Sequence, residues 1–573
     1  MLTINILRRA SGILQRNRTS RFKTILGQQT MAEEKKCYPD YDENLWLRSC
    51  KQEIVKPIEG KITGTIPRWI NGELIRNGPG TLTIENSTFQ HIFDSLALLR
   101  KFTVKNGEVT YQCRFLESEV YKACTEAKRI VMTGFGTKSV PDPCHSIFQR
   151  VSSMFVKDNR IFDNSSVSIY PFHDELYAFG EVSVIHKINK ETLETEKRVN
   201  VNNKEFTIIH HTAHPHVTED GTVYNLAITK KKRQLEHNIV CFPAKTAEDS
   251  NDRSMFDKAS IVASIPVRWP FYPAYMHSFG ITENYFIIVE QPFTLSVPQL
   301  MVNRLINEPP VNSFKSFNSE MTQFSIVNRK TGKVNRVYSK SFFYFHIINQ
   351  YELLNHIVLD VCSYDEALGI EYFNVENMKN LQSDPYAAKA LKCHCTRFVL
   401  PLAEFSENLN MTDNTNLVNI PNSEAEAHFL PDGKIFVKPE LLCNIGCELP
   451  RINYEKYLGK EYQYFYAMGM DIDAEKPGML VKVDVKNKTE KIWYEKNCYA
   501  SEPIFVPSPE SEEEDDGVVL AGLIWGGSDT NRVGLIVLDA KTMTELGKAE
   551  FHTPSSMPRC FHGWFVPEKN SKL

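Results

Sequence analysis

The 573-residue sequence has no run of the roughly 18 consecutive apolar residues that a membrane-spanning helix needs. It also has no excess of one charge. The 66 basic and 70 acidic side chains leave a net charge of −4, which argues against a nucleic-acid partner. The 13 cysteines are odd in number and scattered, as expected of a reduced intracellular protein rather than a disulfide framework. With 42% hydrophobic residues, the chain can bury a large core.

The N-terminus has no acidic residue before Glu33. Its first thirty residues contain serines and six basic side chains: Arg8, Arg9, Arg16, Arg18, Arg21 and Lys23. This composition is typical of a mitochondrial transit peptide, and it also fits a disordered basic tail, so residues 1–30 are predicted to be one or the other. A second start at Met31 would yield an untargeted form, which would be cytoplasmic or peripheral on a membrane.

Apolar residues along most of the chain recur with a period of two, and helical periodicity is confined to short stretches such as Asp384–Leu391. The alternating runs end in turn dipeptides, including Asn106-Gly107, Asp220-Gly221 and Asp432-Gly433. The pattern therefore predicts an all-β fold.

One unit recurs four times: a strand, an Asp or Asn, a turn of the Lys-Thr kind and a second strand. It begins at His186, Phe324, Leu480 and Leu535. Repeated strand pairs spread over a long chain favour the blades of a β-propeller, whose axis can collect side chains from distant sequence positions. We predict a single propeller domain over residues 45–567.

Four of the 16 histidines lie in short apolar or strand-like contexts: His214 in HTAHPH, His277 in YMHSFG, His346 in FHIINQYE and His562 in CFHGWF. They are separated by 63, 69 and 216 residues, far more than in a zinc finger, as expected if different blades supplied them. Periodicity alone does not select His214 over its neighbours His210, His211 and His216. Spacing also does not establish that the four meet, since a single such histidine is more often an ordinary core residue.

The tightest cysteine cluster is Cys393-His394-Cys395. Zinc sites usually combine two ligands from a tight turn with a second pair elsewhere, and no convincing second pair is evident in the sequence. These three residues are therefore predicted to be ordinary residues at the end of a strand.

Six segments, in order, resemble the carotenoid cleavage oxygenase family, and the animal branch most closely: HTAHPHVTEDGTVYN, YMHSFGITENYFIIVEQP, FHIINQYE, INYEKYLGKEYQYFYAMG, SEPIFVPSPESEEEDDGVVL and FHGWF. The resemblance runs from about Trp69 to Phe565. It implies an all-β, seven-bladed β-propeller with a helical and loop cap over an axial iron site.

The resemblance also implies a set of site residues. Fe(II) would be held by His214, His277, His346 and His562. Glu181 in YAFGE, Glu448 in ELPRINY and Glu502 in SEP would hold His277, His346 and His562, respectively. Imidazole suits iron, and a carboxylate that accepts from its second N–H fixes the tautomer and the ring orientation.

The activity implied is Fe(II)-dependent dioxygenase cleavage of a carotenoid double bond with O2, giving aldehydes or ketones. The basic N-terminus favours the mitochondrial enzymes that cut eccentrically at 9′,10′. Retinoid isomerohydrolysis, or cleavage combined with isomerisation, would use the same iron site and stays open. A non-catalytic carotenoid-binding propeller is the alternative from another class, and the retention of all seven histidines and glutamates argues against it.

Two regions bear on how this chain differs from its relatives. Ser95 stands where the family commonly has glycine, so a changed local turn or substrate channel is expected there. The segment Pro141–Cys144 matches the animal branch, although His145 replaces a common lysine. Met154, Phe155 and the stretch Phe293–Leu305 are candidates for a membrane-facing surface, with a mobile loop as the alternative.

Overall fold

The computed structural model describes residues 36–140, 161–231, 234–244, 254–402 and 415–568. The predicted transit segment, Pro141–Cys144, Met154 and Phe155 lie outside these ranges. Within them, strands dominate and helices are short, so the all-β prediction is confirmed. No helix of the described residues is long and apolar enough to cross a membrane.

Seven sheets of four to six strands form the seven blades of a propeller, as predicted. Blade 1 contains Ile54–Glu59, Gly72–Arg76, Pro79–Thr81, Leu96–Lys105, Glu108–Phe115 and Gly563–Pro567. Blade 2 contains Ser168–Phe172, Glu175–Phe179, Val184–Ile188 and Thr195–Asn200. Blade 3 contains Ile208–His211, His216–Val217, Val223–Lys231, Gln234–Phe242 and Ser260–Pro266.

Blades 4 to 7 complete the ring. Blade 4 contains Gly280–Ile281, Tyr285–Glu290, Thr322–Asn328, Val334–Ser339, Glu426–Phe429 and Ile435–Lys438. Blade 5 contains Phe343–Leu353, His356–Tyr364, His394–Pro401 and Glu440–Leu441. Blade 6 contains Cys447–Arg451, Tyr464–Gly469, Leu480–Asp484 and Thr489–Trp493. Blade 7 contains Lys61–Gly64, Cys498–Ala500, Ile504–Pro507, Gly517–Trp525, Arg532–Asp539 and Glu545–His552.

The four recurring units are strand pairs of blades 2, 4, 6 and 7. Each turn is closed by the Asn or Asp that ends the first strand or directly follows it. Asn189, Asn328 and Asp484 each accept two backbone N–H bonds through Oδ1, and Asp539 accepts one together with a threonine hydroxyl. Such side-chain acceptance is the reason that Asx residues favour turns, so this feature of the sequence has a local cause.

The ring is closed by both ends of the chain. The early strand Lys61–Gly64 pairs with Glu545–His552 at the edge of blade 7, and the late strand Gly563–Pro567 pairs with Gly72–Arg76 in blade 1. Through these antiparallel pairings, each of the two terminal strands is hydrogen-bonded into a larger sheet. The closure also fixes the position of His562, which directly precedes Gly563.

Strands at one edge of each sheet face the axis, and neighbouring ones contact each other. Gly563–Pro567 contacts Ser168–Phe172 and Ile504–Pro507, and Phe343–Leu353 contacts Gly280–Ile281 and Cys447–Arg451. Between the sheets lie apolar clusters. The cluster joining blades 1 and 7 buries Leu74, Phe102, Leu520, Leu535 and Phe551, among others. Burying one such side chain contributes roughly 1.5–3 kcal/mol, so this packing stabilises the ring.

Short helices lie in the connections between strands: Glu119–Ala127, Val297–Leu305, Gly369–Tyr372, Val375–Lys379, Ala387–Ala390 and Tyr454–Tyr457, with 3₁₀ turns at Glu43–Trp46, Ile92–Asp94, Pro310–Ser313 and Leu381–Ser383. The helical stretch expected at Asp384–Leu391 is therefore shorter. Several connections bond to one another, for example His91 with Asn374 and Val311 N–H with the Phe135 carbonyl. Together they form a cap of loops and helices.

Candidate metal centre

The four predicted histidines all occur on or beside axial strands. His214 lies between the two short strands of blade 3, and His277 precedes Gly280–Ile281 of blade 4. His346 lies within Phe343–Leu353 of blade 5, and His562 precedes the inner strand of blade 1. The Phe343–Leu353 pairing shifts register around Ile347, so the strand is locally irregular beside His346.

The structure brings these four side chains together. One ring nitrogen from each lies within 4.8 Å of those of the other three. His214 Nε2 and His277 Nε2 are 3.0 Å apart, and the His214 and His562 ring centroids are 4.4 Å apart. The four positions are separated by 63, 69 and 216 residues in the sequence, so the propeller fold creates this cluster.

Each of three imidazoles in the cluster is held at its outer nitrogen by a glutamate. Glu181 Oε1 is 2.7 Å from His277 Nδ1, Glu448 Oε2 is 2.5 Å from His346 Nδ1, and Glu502 Oε1 is 2.7 Å from His562 Nδ1. These are the three pairs that the resemblance implies. A carboxylate at Nδ1 holds the proton there, which leaves the Nε2 lone pair directed at the cluster centre.

His214 differs from the other three. Its Nδ1 lies 3.4 Å from the Tyr170 hydroxyl, at the long limit of a hydrogen bond, and no described carboxylate contacts it. The orientation of the His214 ring therefore depends mainly on the backbone segment that holds it between the two short strands of blade 3.

The three glutamates accept hydrogen bonds from side chains that the sequence did not predict to be part of the site. The Tyr275 hydroxyl donates to Glu181 at 2.8 Å and the Tyr364 hydroxyl to Glu448 at 2.9 Å. Arg451 Nε donates to Glu502 Oε1 at 2.8 Å. Period two places Tyr275 on the same side of its segment as His277, which is a usable signal. Tyr364 carries no comparable sequence signal, because only strand pairing brings it to Glu448.

The electrostatics of the cluster favour neutral imidazoles and ionised carboxylates. Burial is the main cause that holds the pKa of His214 well below its ordinary value, and the neighbouring histidines lower that pKa further. Burial lowers the pKa of His562 to about 4. Burial alone would raise the pKa of Glu502, but Arg451 and His562 outweigh it and hold that pKa below its usual range. Neutral imidazole is the form that binds a metal.

A divalent cation fits this donor set. His346 Nε2 is buried and has no hydrogen-bond partner among the described residues, although a buried nitrogen normally has one. The Nε2 atoms of His214 and His277 are 3.0 Å apart. Two ligands at right angles on one ion, each with a metal–nitrogen distance of about 2.1 Å, have their nitrogens about 3.0 Å apart, so a shared ion would account for this approach.

The competing histidines of the same segment have other partners. His211 Nδ1 is 2.8 Å from the Thr212 carbonyl, and His216 bonds to the Phe279 carbonyl at 2.8 Å and to the Tyr454 hydroxyl at 3.1 Å. His210 lies beside Glu181, with its Nε2 3.3 Å from Oε2. Only His214 of this group reaches the cluster.

A cluster of aromatic rings lies beside the His277 imidazole and includes residues of the cap. From His277 it extends through Phe345, Phe373, Phe93, Phe135, Phe314 and Phe293, with successive centroids 4.8–6.4 Å apart. Phe293 also packs on Tyr275, whose ring lies 6.2 Å from that of His277, so the cluster returns to the histidines. Phe93, Phe135, Phe314 and Phe373 are only half-buried. Ser95 lies next to this region with φ −52° and ψ 130°, a backbone conformation open to any residue, so serine fits without strain.

Cys395 has partners that the sequence did not indicate. Its Sγ lies within 4.8 Å of those of Cys443 and Cys447, and all three are buried. All described cysteines are free thiols.

The propeller fold is shared with a solved apocarotenoid oxygenase, and the sequence matches a known family. Residues 47–567 match the family described as retinal pigment epithelial membrane protein. The chain belongs to this carotenoid oxygenase family and is an enzyme of that family.

Individual relatives span nearly the whole chain. The carotenoid isomerooxygenase of Galleria mellonella is 44% identical over 94% of this chain and 99% of its own length. The Drosophila melanogaster enzyme of the same name is 42% identical over 92% and 94%. A mitochondrial carotenoid-cleaving dioxygenase of Pongo abelii is 34% identical over 91% and 94%. A mutant of Synechocystis apocarotenoid oxygenase shares the fold with a TM-score of 0.72 at 20% identity, over 92% of this chain and 100% of the other.

Proposed function

We propose that the chain binds Fe(II) through His214, His277, His346 and His562 and uses O2 to cleave a carotenoid double bond, with isomerisation of a second double bond in the same substrate. The convergence of four imidazole nitrogens within 4.8 Å carries the proposal. Iron, when bound, would supply the site and the electrons for activating O2.

The protein's own groups prepare this site. Glu181, Glu448 and Glu502 keep a proton on Nδ1 of the three imidazoles that they contact. The Nε2 atom of each of these rings is then free to donate its lone pair to the metal. Arg451 and the Gly563 N–H fix the Glu502 carboxylate from two sides. The three carboxylates also offset the charge of a divalent cation that four neutral ligands leave uncompensated.

The aromatic cluster that contains Phe345 and Phe293 supports a polyene substrate. A carotenoid is long, apolar and planar, and aromatic faces bind such a chain without any polar group to satisfy. The Phe345 ring lies 5.1 Å from the His277 imidazole, so a polyene packed against that ring would reach the metal. The position of the polyene relative to the metal would decide which bond is cut.

The names of the relatives favour combined cleavage and isomerisation over cleavage alone. Two relatives called carotenoid isomerooxygenase are 44% and 42% identical to this chain, whereas the mitochondrial carotenoid-cleaving dioxygenase is 34% identical. Eccentric 9′,10′ cleavage without isomerisation is the simpler reaction at the same centre.

The test is product analysis after incubating the iron-loaded protein with β-carotene or zeaxanthin in detergent, with and without O2. We expect aldehydes only with O2, one fragment bearing a cis double bond, as read by chromatography and mass spectrometry. All-trans fragments alone would leave cleavage but refute isomerisation. A cis isomer of retinol formed from all-trans-retinyl ester without O2 would instead indicate an isomerohydrolase, and tight pigment binding without turnover would indicate a carrier.

We propose that the helix Val297–Leu305 docks the enzyme on a membrane, from which a carotenoid would enter. Met301 and Leu305 are 66% and 73% exposed, and Phe271, whose carbonyl accepts from Val297 N–H, is 64% exposed. Large apolar side chains grouped in this way mark an interaction surface. Phe293, a member of the aromatic cluster, lies four residues before this helix begins.

We also propose that residues 1–30 direct the chain to mitochondria. The support is their basic, acid-free composition and the mitochondrial relative. Fusing these residues to a fluorescent protein should carry it into mitochondria, and a fusion starting at Met31 should stay outside. Equal distribution of the two fusions would refute the targeting role.

A further inference from the structure

A buried trio of thiols lies apart from the four histidines, at the junction of blades 5 and 6. Cys395 lies in the blade 5 strand His394–Pro401. Cys443 lies in the connection that follows Glu440–Leu441, and Cys447 is the first residue of the blade 6 strand Cys447–Arg451. Their sulfur atoms lie within 4.8 Å of one another. A fourth thiol, that of Cys362, contacts Cys395 from the neighbouring strand, where the two residues are directly paired.

The turn that carries two of these thiols is held in place. Cys443 Sγ and Cys447 Sγ lie 3.3 and 3.4 Å from the same Ile445 carbonyl, so both side chains point inward from one short loop. Gly446 N–H donates to the Asp471 carboxylate at 2.9 Å, and a Cβ at position 446 would collide with that carboxylate. Lys392 binds the same carboxylate at 2.7 Å. The loop is therefore fixed before any ligand arrives.

The surroundings leave the sulfur atoms with few polar partners. All four cysteines belong to one apolar cluster with residues such as Tyr364, Ile370 and Leu442. A single buried cysteine behaves as a small hydrophobic residue, but three thiols that converge from two backbone segments form the donor set of a soft metal ion.

We propose that Cys395, Cys443 and Cys447 bind one thiophilic metal ion, Zn²⁺ or Cu⁺, which joins blade 5 to blade 6. Each ligand would release its thiol proton to solvent as the ion binds. A zinc–sulfur distance of about 2.3 Å in a tetrahedron puts sulfur atoms about 3.8 Å apart. This separation is compatible with a trio whose sulfur atoms all lie within 4.8 Å of one another. Zn²⁺ would take Cys362 as its fourth ligand, whereas Cu⁺ is satisfied by three thiolates.

The position of the thiol site gives it a structural role beside the histidine cluster. Cys447 directly precedes Glu448, the residue that holds His346, and Cys362 is two residues before Tyr364, which donates to Glu448. Cross-linking these strands would fix the carboxylate without contacting it. The thiol site and the histidine site would bind their metals independently, because they share no side chain.

The test is metal analysis of full-length protein that carries His277→Ala, which disables the histidine cluster so that only the thiol site is counted. The protein is purified anaerobically and reconstituted with Zn²⁺ or Cu⁺ alone. We expect one equivalent of a thiophilic ion per chain in this parent and after adding the control change Cys498→Ser, which alters a buried thiol of blade 7. Adding Cys443→Ser and Cys447→Ser together should leave less than a tenth of it. Zinc bound by the parent and lost after Cys362→Ser would assign Zn²⁺, whereas copper bound by the parent in place of zinc and kept after Cys362→Ser would assign Cu⁺. No bound thiophilic ion in the parent, or equal binding after the Cys443→Ser and Cys447→Ser changes, would overturn the proposal.

A spectroscopic measurement keeps the proposal testable if the serine variants fail to fold. Co²⁺ bound by thiolates absorbs through sulfur-to-metal charge transfer, and Co²⁺ bound by imidazoles does not. We expect this absorption in the reconstituted unaltered protein and equally in a His277→Ala variant, whose histidine site is broken. Its absence from both would refute the thiol site while leaving the proposed iron centre untouched.

Discussion

Glu448 offers a clean way to perturb the support of one proposed iron ligand. Its carboxylate is buried, accepts from His346 Nδ1 at 2.5 Å, and also accepts from the Tyr364 hydroxyl at 2.9 Å and from Leu449 N–H at 2.9 Å. No arginine or lysine pairs with it among the described ion pairs. Glu502 is less suitable, because removing its charge would also leave the buried Arg451 without its counterion.

The size of the effect follows from these contacts. In Glu448→Gln the amide oxygen can stay at the Oε2 position and still accept from His346, while the Tyr364 hydroxyl reverses to accept from the new NH₂ group. The imidazole then loses only the charge of its partner. Loss of a supporting carboxylate costs about 10–100-fold in metal affinity, so we expect about 10-fold for Gln and about 100-fold for Ala. These correspond to about 1.4 and 2.8 kcal/mol.

The assay is competition for Fe(II) against a chelator of known affinity, under nitrogen, with bound iron measured by mass spectrometry. Tyr170→Phe is the matched control, because its hydroxyl is 3.4 Å from His214 Nδ1 and its loss should change iron affinity by no more than about twofold. Thermal unfolding of the iron-free variants checks that each one folds. If Glu448→Ala bound iron as tightly as Tyr170→Phe, the role assigned to the carboxylate would be refuted.

Two further predictions concern stability and membrane docking. Burial alone would raise the pKa of Asp163, but hydrogen bonds from His186 and Arg198 outweigh it and hold that pKa at about 2. Because the folded pKa lies below the unfolded value of about 3.9, about 2 kcal/mol of stabilisation is present above pH 4 and lost as pH falls toward 2. Urea titrations should therefore show a stability gap to Asp163→Asn at pH 7 that shrinks at pH 3, and a gap independent of pH would contradict this reasoning. Replacing Met301 and Leu305 by Asp should abolish co-flotation with liposomes while detergent-dispersed carotenoid is still cleaved. Val55→Asp, at an exposed position of blade 1, should float like the unaltered protein, and unchanged flotation of the double variant would refute docking by this helix.

Local features of the fold could be predicted because their causes are local. Asn106-Gly107 forms the expected hairpin turn, since both residues take positive φ, and Asn189 closes its turn through backbone N–H bonds. The closure of the ring has no comparable local signal in the sequence. Lys61–Gly64 pairs with a strand almost 500 positions later in the sequence, and Val334–Ser339 pairs in parallel with Ile435–Lys438 across an intervening blade. Pairing at these separations is decided by the whole propeller.

The residues of the candidate site could be predicted as far as the resemblance to the family identified them. Residue patterns alone could not choose His214 over His216, because both alternate with period two and only the turn between two short strands separates them. The pairing of Cys395 with the Cys443–Cys447 loop was missed for a related reason. The two segments are almost 50 residues apart, and only the junction of blades 5 and 6 brings them together.

The most direct test of the proposed iron centre is to measure iron content and carotenoid turnover on the same preparations of the unaltered protein, His277→Ala and His428→Ala. His428 lies on the outer strand of blade 4 and serves as the control. We predict that His277→Ala loses iron and O2-dependent cleavage together, while His428→Ala keeps both. Full turnover by His277→Ala would contradict the assignment of the four-histidine cluster as the catalytic metal site.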